Sequence, residues 1–339
     1  MGVKLSSIVQ KKEVSFDELS HKRIAIDAMQ CLYQFLSSIR QADGTPLMDS
    51  HGNITSHLMG IWTRFSNLIN KNVKMVVVFD GEPPELKARE SESRAERKAD
   101  AAGKYKEAAD EENIDLMLRY SKQSIFITDK MLEESKKLIE AMGLPVVEAP
   151  SEADAQMAFM NKQDDVWACG TTDYDVLLHE APKMIANLTL SQKRRFGSGK
   201  IITIHPELIE LKSVLKELNL TQDQLIVLAI LVGTDYNPEG IRGVGPKKAL
   251  KLVRENKDFD ELFTGLNADF DWKKVFDTFK KMEVKKNYDL KWREIDVDAI
   301  KKILVEKHEF SEERIDSTLK KAEKASSMKG QKSLGEFFK

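Results

Sequence analysis

The chain has 339 residues, 41% of them hydrophobic, with 53 basic residues against 55 acidic ones and a net charge of −2. The length allows one large α/β domain or two smaller ones, and the apolar content is ample for a core. The near balance of charge excludes a uniformly basic coat but not local clusters, because 32% of residues are charged. No apolar run reaches the length of a membrane span and MGVKLSSIVQ has no apolar signal core, so a soluble, intracellular protein with no membrane partner is expected. The two cysteines, Cys31 and Cys169, lie in separate apolar runs and read as buried free thiols.

In chain order, RIAIDA (23–28) has the pattern of a buried strand ending at Asp27, and a helix should follow, since Met29, Leu32, Leu36 and Ile39 recur three and four apart. Residues 42–53 are turn-rich. The segment 55–71 predicts a second amphipathic helix capped by Thr55 or Ser56, and VKMVVVFDG (73–81) predicts a strand buried in a parallel sheet and ending at Asp80. Two such strands ending on aspartates suggest more than two helix caps, because ligands of open α/β sheets bind beyond the carboxyl ends of the strands.

Residues 82–122 have almost no large apolar residue before Ile114. Strong helix formers and interleaved charges predict helices standing out into solvent. Lys87 and Arg94, seven apart, fall within about 20° of each other on a helix and close behind Asp80. An amphipathic helix over 131–143 should end at Gly143, followed by a strand in LPVVEAP.

The stretch from Pro150 to Asp175 concentrates acids: Glu152 with Asp154, then Asp173 with Asp175. SEAD (151–154) matches a capping box. Residues two apart on a helix diverge by about 200°, so Glu152 and Asp154 should converge only at a frayed first turn or through water. Asp154 is therefore the acid expected to prove a cap, if any of them does. Asp173 and Asp175 should share a face of an extended segment.

Strands are expected at 183–190 and 200–205 around a basic turn, and a buried helix at 221–233 leads to Asp235. IRGVGPKKAL follows, with a tight Gly-rich turn opening a helix that carries Lys247 and Lys248 in its first turn. Cations are unfavourable at that end of a helix unless an anion sits on its free amides, here those of Gly243 and Gly245. From 255 to 325, short lysine-rich helices should pack around Trp272 and Trp292. The polar tail carries Leu334, Phe337 and Phe338 at helical spacing, the pattern of a short peptide docking a partner's groove.

Seven acids are then in hand: Asp27, Asp80, Glu152, Asp154, Asp173, Asp175 and Asp235. Clustered carboxylates repel unless a cation neutralises them, and hard oxygen donors select Mg²⁺ or Mn²⁺. AIDA, VFDGEPPELK, APSEADAQ, TTDYD, LVGTDY, IRGVGPKKAL and QKSLGEFF, in this order, resemble a flap endonuclease of the structure-specific 5′-nuclease superfamily, over nearly the whole chain. The end at the tail motif is similar to archaeal members.

The resemblance implies an α/β fold, with a central, largely parallel twisted sheet flanked by helices. It implies a single nuclease domain over 1–325, composed of 1–81, a helical arch at 82–122, a second part at 123–235 and a helix-hairpin-helix region with C-terminal helices at 236–325. A flexible tail, 326–339, would follow. It further implies a likeness of Asp27, Asp80, Glu152 and Asp154 to a first-metal group, and of Asp173, Asp175 and Asp235 to a second. Lys87 and Arg94 match cations that contact the scissile phosphate, and Tyr33 an aromatic that stacks on the base next to the cut. Gly240, Ile241, Gly243, Gly245, Lys247 and Lys248 resemble the hairpin that grips duplex backbone, with K⁺ in the family. Gln331, Leu334, Phe337 and Phe338 resemble a sliding-clamp box. The implied activity is two-metal hydrolysis of branched DNA with a 5′ flap, endonucleolytic and 5′–3′ exonucleolytic, by a monomer in Okazaki-fragment processing and repair. A related nuclease of single-stranded RNA and a non-catalytic clamp-bound DNA scaffold are the alternatives. Two positions depart from the pattern: Asp154 stands where many members have the longer glutamate, and Thr172 where many have an acid.

Overall fold

The structure, a computed structural model, describes residues 3, 5–111, 113–121, 123–190, 193–195 and 201–321. The docking residues Gln331, Leu334, Phe337 and Phe338 lie outside the described residues.

Short β1 (Lys12–Glu13) precedes β2 (Arg23–Asp27) and helix α1 (Ala28–Ser38). Helix α2 (Ser56–Gly60) runs through a π-helical turn, Ile61–Phe65, into α3 (Ser66–Asn70), and β3 (Lys74–Phe79) follows. The charged segment forms a long helix α4 (Ala88–Asp110) and a shorter α5 (Ile114–Ser121) packed against it. Next come α6 (Asp129–Ala141), β4 (Val146–Glu148), α7 (Ala153–Lys162), β5 (Ala168–Gly170), α8 (Asp175–Leu178) and β6 (Lys183–Ala186). The chain then adds β7 (Lys193–Arg195), β8 (Ile201–Thr203), β9 (Glu207–Glu210) and α9 (Leu211–Leu218). It ends in α10 (Gln222–Val232), α11 (Pro246–Glu255), α12 (Phe259–Gly265), α13 (Trp272–Lys281) and α14 (Val297–Lys301).

The main sheet has 7 strands in the order β1-β9-β6-β5-β2-β3-β4. From β6 to β4 all neighbours are parallel, and β9 and β1 add an antiparallel edge. Strand β3 is apolar throughout because helices cover both of its faces. Met75, Val77 and Phe79 join one core with α1 and α6, while Val76 and Val78 join another with α7 and α10. Cys31 and Cys169 are buried and unbonded, one in each core. No helix among the described residues is long and apolar enough to cross a membrane.

The basic hairpin differs from its predicted boundaries. Its partners are β7 and β8, paired from Lys193↔Thr203 to Arg195↔Ile201 in a separate two-stranded sheet, whereas β6 stays in the main sheet. Continuous β-branched residues mark strands but do not say which strand is the partner. Near the C-terminus, Trp272 stacks on Phe263 at 5.0 Å and Trp292 Nε1 donates to the Met75 carbonyl at 2.9 Å, tying the last segments to both cores.

Candidate metal centre

Four adjacent parallel strands, β5-β2-β3-β4, release their chains at one edge of the sheet. Each release delivers acids: Asp27 closes β2, Asp80 follows β3, Glu152 and Asp154 follow β4, and Asp173 and Asp175 follow β5. Parallel pairing requires a crossover after each strand, so the loops before these crossovers gather on one side. Asp235 comes from outside the sheet, at the end of α10. The seven acids line one cavity of about 730 Å³ with Tyr33, Lys87 and Arg94.

The turn after β3 shows how close the backbones run. Gly81 N donates to the Ser151 carbonyl at 2.6 Å, and a Cβ on Gly81 would meet the Ala149 carbonyl oxygen at 2.2 Å. Only glycine lets this loop pass under the 149–151 segment and set Asp80 beside α7.

Two acids double as caps. Asp27 accepts from Gln30 N at 2.9 Å, capping α1, and Asp80 reaches across to accept from Ala153 N at 2.7 Å in the first turn of α7. The capping box that SEAD suggested, which made Asp154 the acid to doubt, does not form. Glu152 is the residue before α7, in extended conformation, with no side-chain cap, and Asp154 lies one residue into the helix. Because Glu152 is outside the helix, the 200° divergence does not apply, and both side chains face the cavity. One buried Asp154 oxygen, Oδ1, has no hydrogen-bond partner among the described residues.

Asp154, Asp173 and Asp175 each offer an oxygen, all within 4.8 Å of one another. The expected extended segment between the last two is in fact a turn: Asp175 opens α8 and its N–H donates to Asp173 Oδ1 at 3.1 Å. The pair converges because the chain folds back, not because residues two apart share a strand face. Val3 N donates to Asp175 Oδ1 at 3.1 Å, bringing the N-terminal lead-in to the same place. Burial pushes the Asp175 and Asp154 carboxyls well above their usual range, with the charge of Asp173 next in both cases. Burial also raises Asp173, assisted by the charge of Asp235. Asp27 is pushed up to about 7 by burial and then by Asp80.

The other side of the cavity is different. Lys87 Nζ pairs with Glu152 and lies 3.4 Å from Asp235, and Arg94 Nη2 is 2.7 Å from the other Asp235 oxygen. Burial works against ionisation of Asp235, yet Lys87 and Arg94 help hold it below the usual carboxylate range. Burial likewise pulls Lys87 down, but Glu152 and Asp235 keep it above an ordinary lysine. The two cations pair with Glu152 and Asp235 inside the cavity that Asp80 also lines. Arg94 is further braced by Glu90 at 2.7 Å.

Three participants were not picked out from the sequence. Tyr236 donates its hydroxyl to Glu152, and its ring meets Phe279 of α13 at 5.0 Å. Gln30 donates to the Thr171 hydroxyl at 3.0 Å and accepts from Thr172 N at 2.8 Å, which fixes the loop after β5. Glu90 orients Arg94. Tyr236 directly follows Asp235 in a short run after a buried helix, a signal that was available; Gln30 and Glu90 carried none.

Tyr33 stands on α1 at the cavity's side, where its hydroxyl accepts from Lys98 Nζ at 2.8 Å. The hairpin residues lie apart from the acids, between α10 and α11. Gly240 has φ +55°, and a Cβ there would meet the Val232 carbonyl carbon at 2.5 Å. Ile241 N donates to the Leu231 carbonyl at 2.9 Å. Gly243, Gly245, Lys247 and Lys248 are exposed at the turn while Val244 is buried, so the turn presents its amides and lysines outward.

Family models for the XPG N-terminal domain and the XPG I-region match residues 1–101 and 143–235. Flap endonuclease 1 of Pyrococcus furiosus is 46% identical over 340 residues, covering 100% of both chains. Flap endonuclease 1 of Hyperthermus butylicus is 44% identical over 332 residues, 96% of this chain and 95% of that one. Among solved structures, flap endonuclease-1 from Methanococcus jannaschii superposes with a TM-score of 0.78 at 38% identity, covering 97% of this chain and 100% of that one. The catalytic core of Rad2 in complex with DNA substrate shares the fold, with a TM-score of 0.71 at 24% identity over 95% of this chain and 100% of that one.

Proposed function

The chain belongs to the flap endonuclease family, and from that premise we propose how its own residues carry the activity. It is a structure-specific flap endonuclease, a metal-dependent phosphodiesterase. The observation that carries the reading is the gathering of acids from four neighbouring strand ends into one cavity.

The donors fit a hard divalent cation. Three carboxylates approach within 4.8 Å, one Asp154 oxygen is buried without a partner, and burial and repulsion disfavour their ionised forms unless positive charge is supplied. We assign two Mg²⁺, replaceable by Mn²⁺: one to Asp27, Asp80, Glu152 and Asp154, the other to Asp173, Asp175 and Asp235. Asp154 stands between the groups, since its oxygen faces Asp173 and Asp175. When bound, such ions would acidify an attacking water and counter charge on the attacking and the leaving oxygen. Lys87 and Arg94 turn from Glu152 and Asp235 to the scissile phosphate, where they counter the charge that develops in the transition state. Tyr33 stacks on the base beside the cut. The products are a 3′-hydroxyl and a 5′-phosphate.

Branched DNA with a 5′ flap is the substrate. The segment 82–122 admits the 5′ single strand, and the Gly240–Lys248 turn holds duplex backbone, with K⁺ on its carbonyls. Gln331, Leu334, Phe337 and Phe338 dock on a sliding clamp. The test is a labelled 5′-flap duplex incubated with Mg²⁺ and with chelator: incision near the junction is expected only with Mg²⁺, and its absence sinks the reading. Deletion of 331–339 is expected to remove stimulation by the clamp and spare basal cleavage.

A further inference from the structure

Beside the metal cavity lies a second one of about 520 Å³, and the two share Gln30, Tyr33 and Thr172 as a common wall. Lys98 of α4 lines the second cavity with Gln123 and Ile125. Its ammonium lies 4.4 Å from the centre of the Tyr33 ring and 5.8 Å from that of Phe126, within reach of both π faces. Phe126 is 45% exposed, and among the described residues it and Met48 are the large apolar side chains that stand out into solvent. Phe126 directly follows Ile125 of the lining and shares Lys98 with Tyr33, so it offers an aromatic face beside this cavity. The neighbouring cation calls for a cover that is flat and apolar yet linked to negative charge, which describes a nucleotide better than a protein side chain. The wall is already rigid, since Gln30 is hydrogen-bonded to Thr171 and Thr172, and Gln34 to Thr189.

We propose that this second cavity receives an unpaired nucleobase adjacent to the scissile phosphate, stacked on Phe126, with Lys98 countering the attached phosphate. The inference rests on the nuclease reading above and adds a second aromatic platform beyond Tyr33. Stacking a base on an aromatic side chain is sequence-tolerant, because every base has a π face. Phe126 is thus a substrate-positioning residue of any 5′ strand rather than a reader of sequence.

The test uses the full chain, its Phe126→Ala and Phe126→Tyr variants, and a 5′-flap duplex carrying 2-aminopurine in turn on either side of the scissile phosphate. Without divalent metal, the wild type is expected to quench the probe at both positions, Phe126→Ala to lose the quench at one of them and keep that due to Tyr33 at the other, and Phe126→Tyr to keep both. In parallel, Mg²⁺-dependent incision is measured on the normal flap and on one made abasic at the position where Phe126→Ala loses the quench. Removing the base is expected to slow the wild type by roughly 5- to 100-fold, and the ratio should collapse toward one in Phe126→Ala. Equal quenching by wild type and Phe126→Ala at both positions, no quenching by the wild type, or an unchanged base-to-abasic ratio overturns the proposal. Wild-type protein that quenches the probe but does not incise with Mg²⁺ upholds the stacking site and sinks the nuclease reading instead. Parallel thermal melts of the variants separate lost stacking from lost folding.

Discussion

Glu152 and Asp235 share one cavity with Asp154, Asp173 and Asp175, yet the protein treats the two groups in opposite ways. Lys87 and Arg94 reach down from the start of the charged segment and neutralise the first group. Among the described residues no cation pairs with any member of the second. The carboxyls respond accordingly: Asp235 is held below its usual range, while Asp154 and Asp175 are driven well above theirs by burial and by the charge of Asp173. The difference identifies where positive charge must come from outside. One half is balanced by the chain itself, and in the proposed function it is released when Lys87 and Arg94 engage a phosphate. The other half has no such partner among the described residues and is the half that the proposed metal would balance.

The comparison is broken most directly at Asp175. Asp175→Ala is expected to reduce Mg²⁺-dependent incision of a 5′-flap duplex on the order of 10³-fold, read from single-turnover rates. Incision at the wild-type rate contradicts the assignment. Lys87→Ala attacks the balanced half. It should lower the single-turnover rate about 10²-fold and also destabilise the metal-free protein by roughly 1–3 kcal/mol, because it leaves a buried carboxylate without its charged partner. Chemical denaturation reads the second effect, and unchanged stability shows that the pair carries no structural weight.

Asp154→Asn should act in the opposite direction on stability. Its Oδ1 has no partner to lose, so the neutral amide relieves repulsion, and the metal-free melting temperature should rise while the gain on adding Mg²⁺ shrinks. A fall in the metal-free melting temperature removes repulsion as the cause.

The pH response sharpens the same point. Asp27 ionises near pH 7 in the folded protein and near about 3.9 in the unfolded chain. Between these values the folded state binds a proton that the unfolded state lacks, so stability from this group is lost as pH rises from about 4 through about 7. The metal-free melting temperature should therefore fall from pH 6 to pH 8 more steeply in the wild type than in Asp27→Asn, and Mg²⁺ should stabilise the wild type more at pH 8 than at pH 6. The smallest change is Tyr236→Phe. It removes one donor from Glu152 and should cost about 1 kcal/mol of stability, with incision slowed tenfold at most.

Much of the site was legible because its signal is local. An aspartate at the end of an apolar strand is visible at Asp27 and Asp80 without any knowledge of the fold, and paired acids at 152–154 and 173–175 stand out by composition. The misjudged details all depended on direction. SEAD looked like a capping box, which made Asp154 the acid to doubt, but α7 begins after Glu152, and Asp80 supplies the cap from another strand. Asp173 and Asp175 were read as neighbours on a strand face, and a turn brings them together instead. The partners of Lys87 and Arg94 could not be read at all, since Glu152 and Asp235 lie 65 and 141 residues away in the chain.

The sequence by itself determined most of the strand and helix pattern and the inventory of acids, because burial periodicity and residue chemistry act over a few neighbouring residues. Only the tertiary structure decided which acids were balanced and which were not. That depends on the crossovers that stack four strand ends side by side and on the short turn and long helix after β3, which return Lys87 and Arg94 to one rim of the cavity. Charge is additive along a sequence, but its energy depends on separation and burial in space. The same seven carboxylates become a self-neutralised half and a metal-demanding half only once they are folded together.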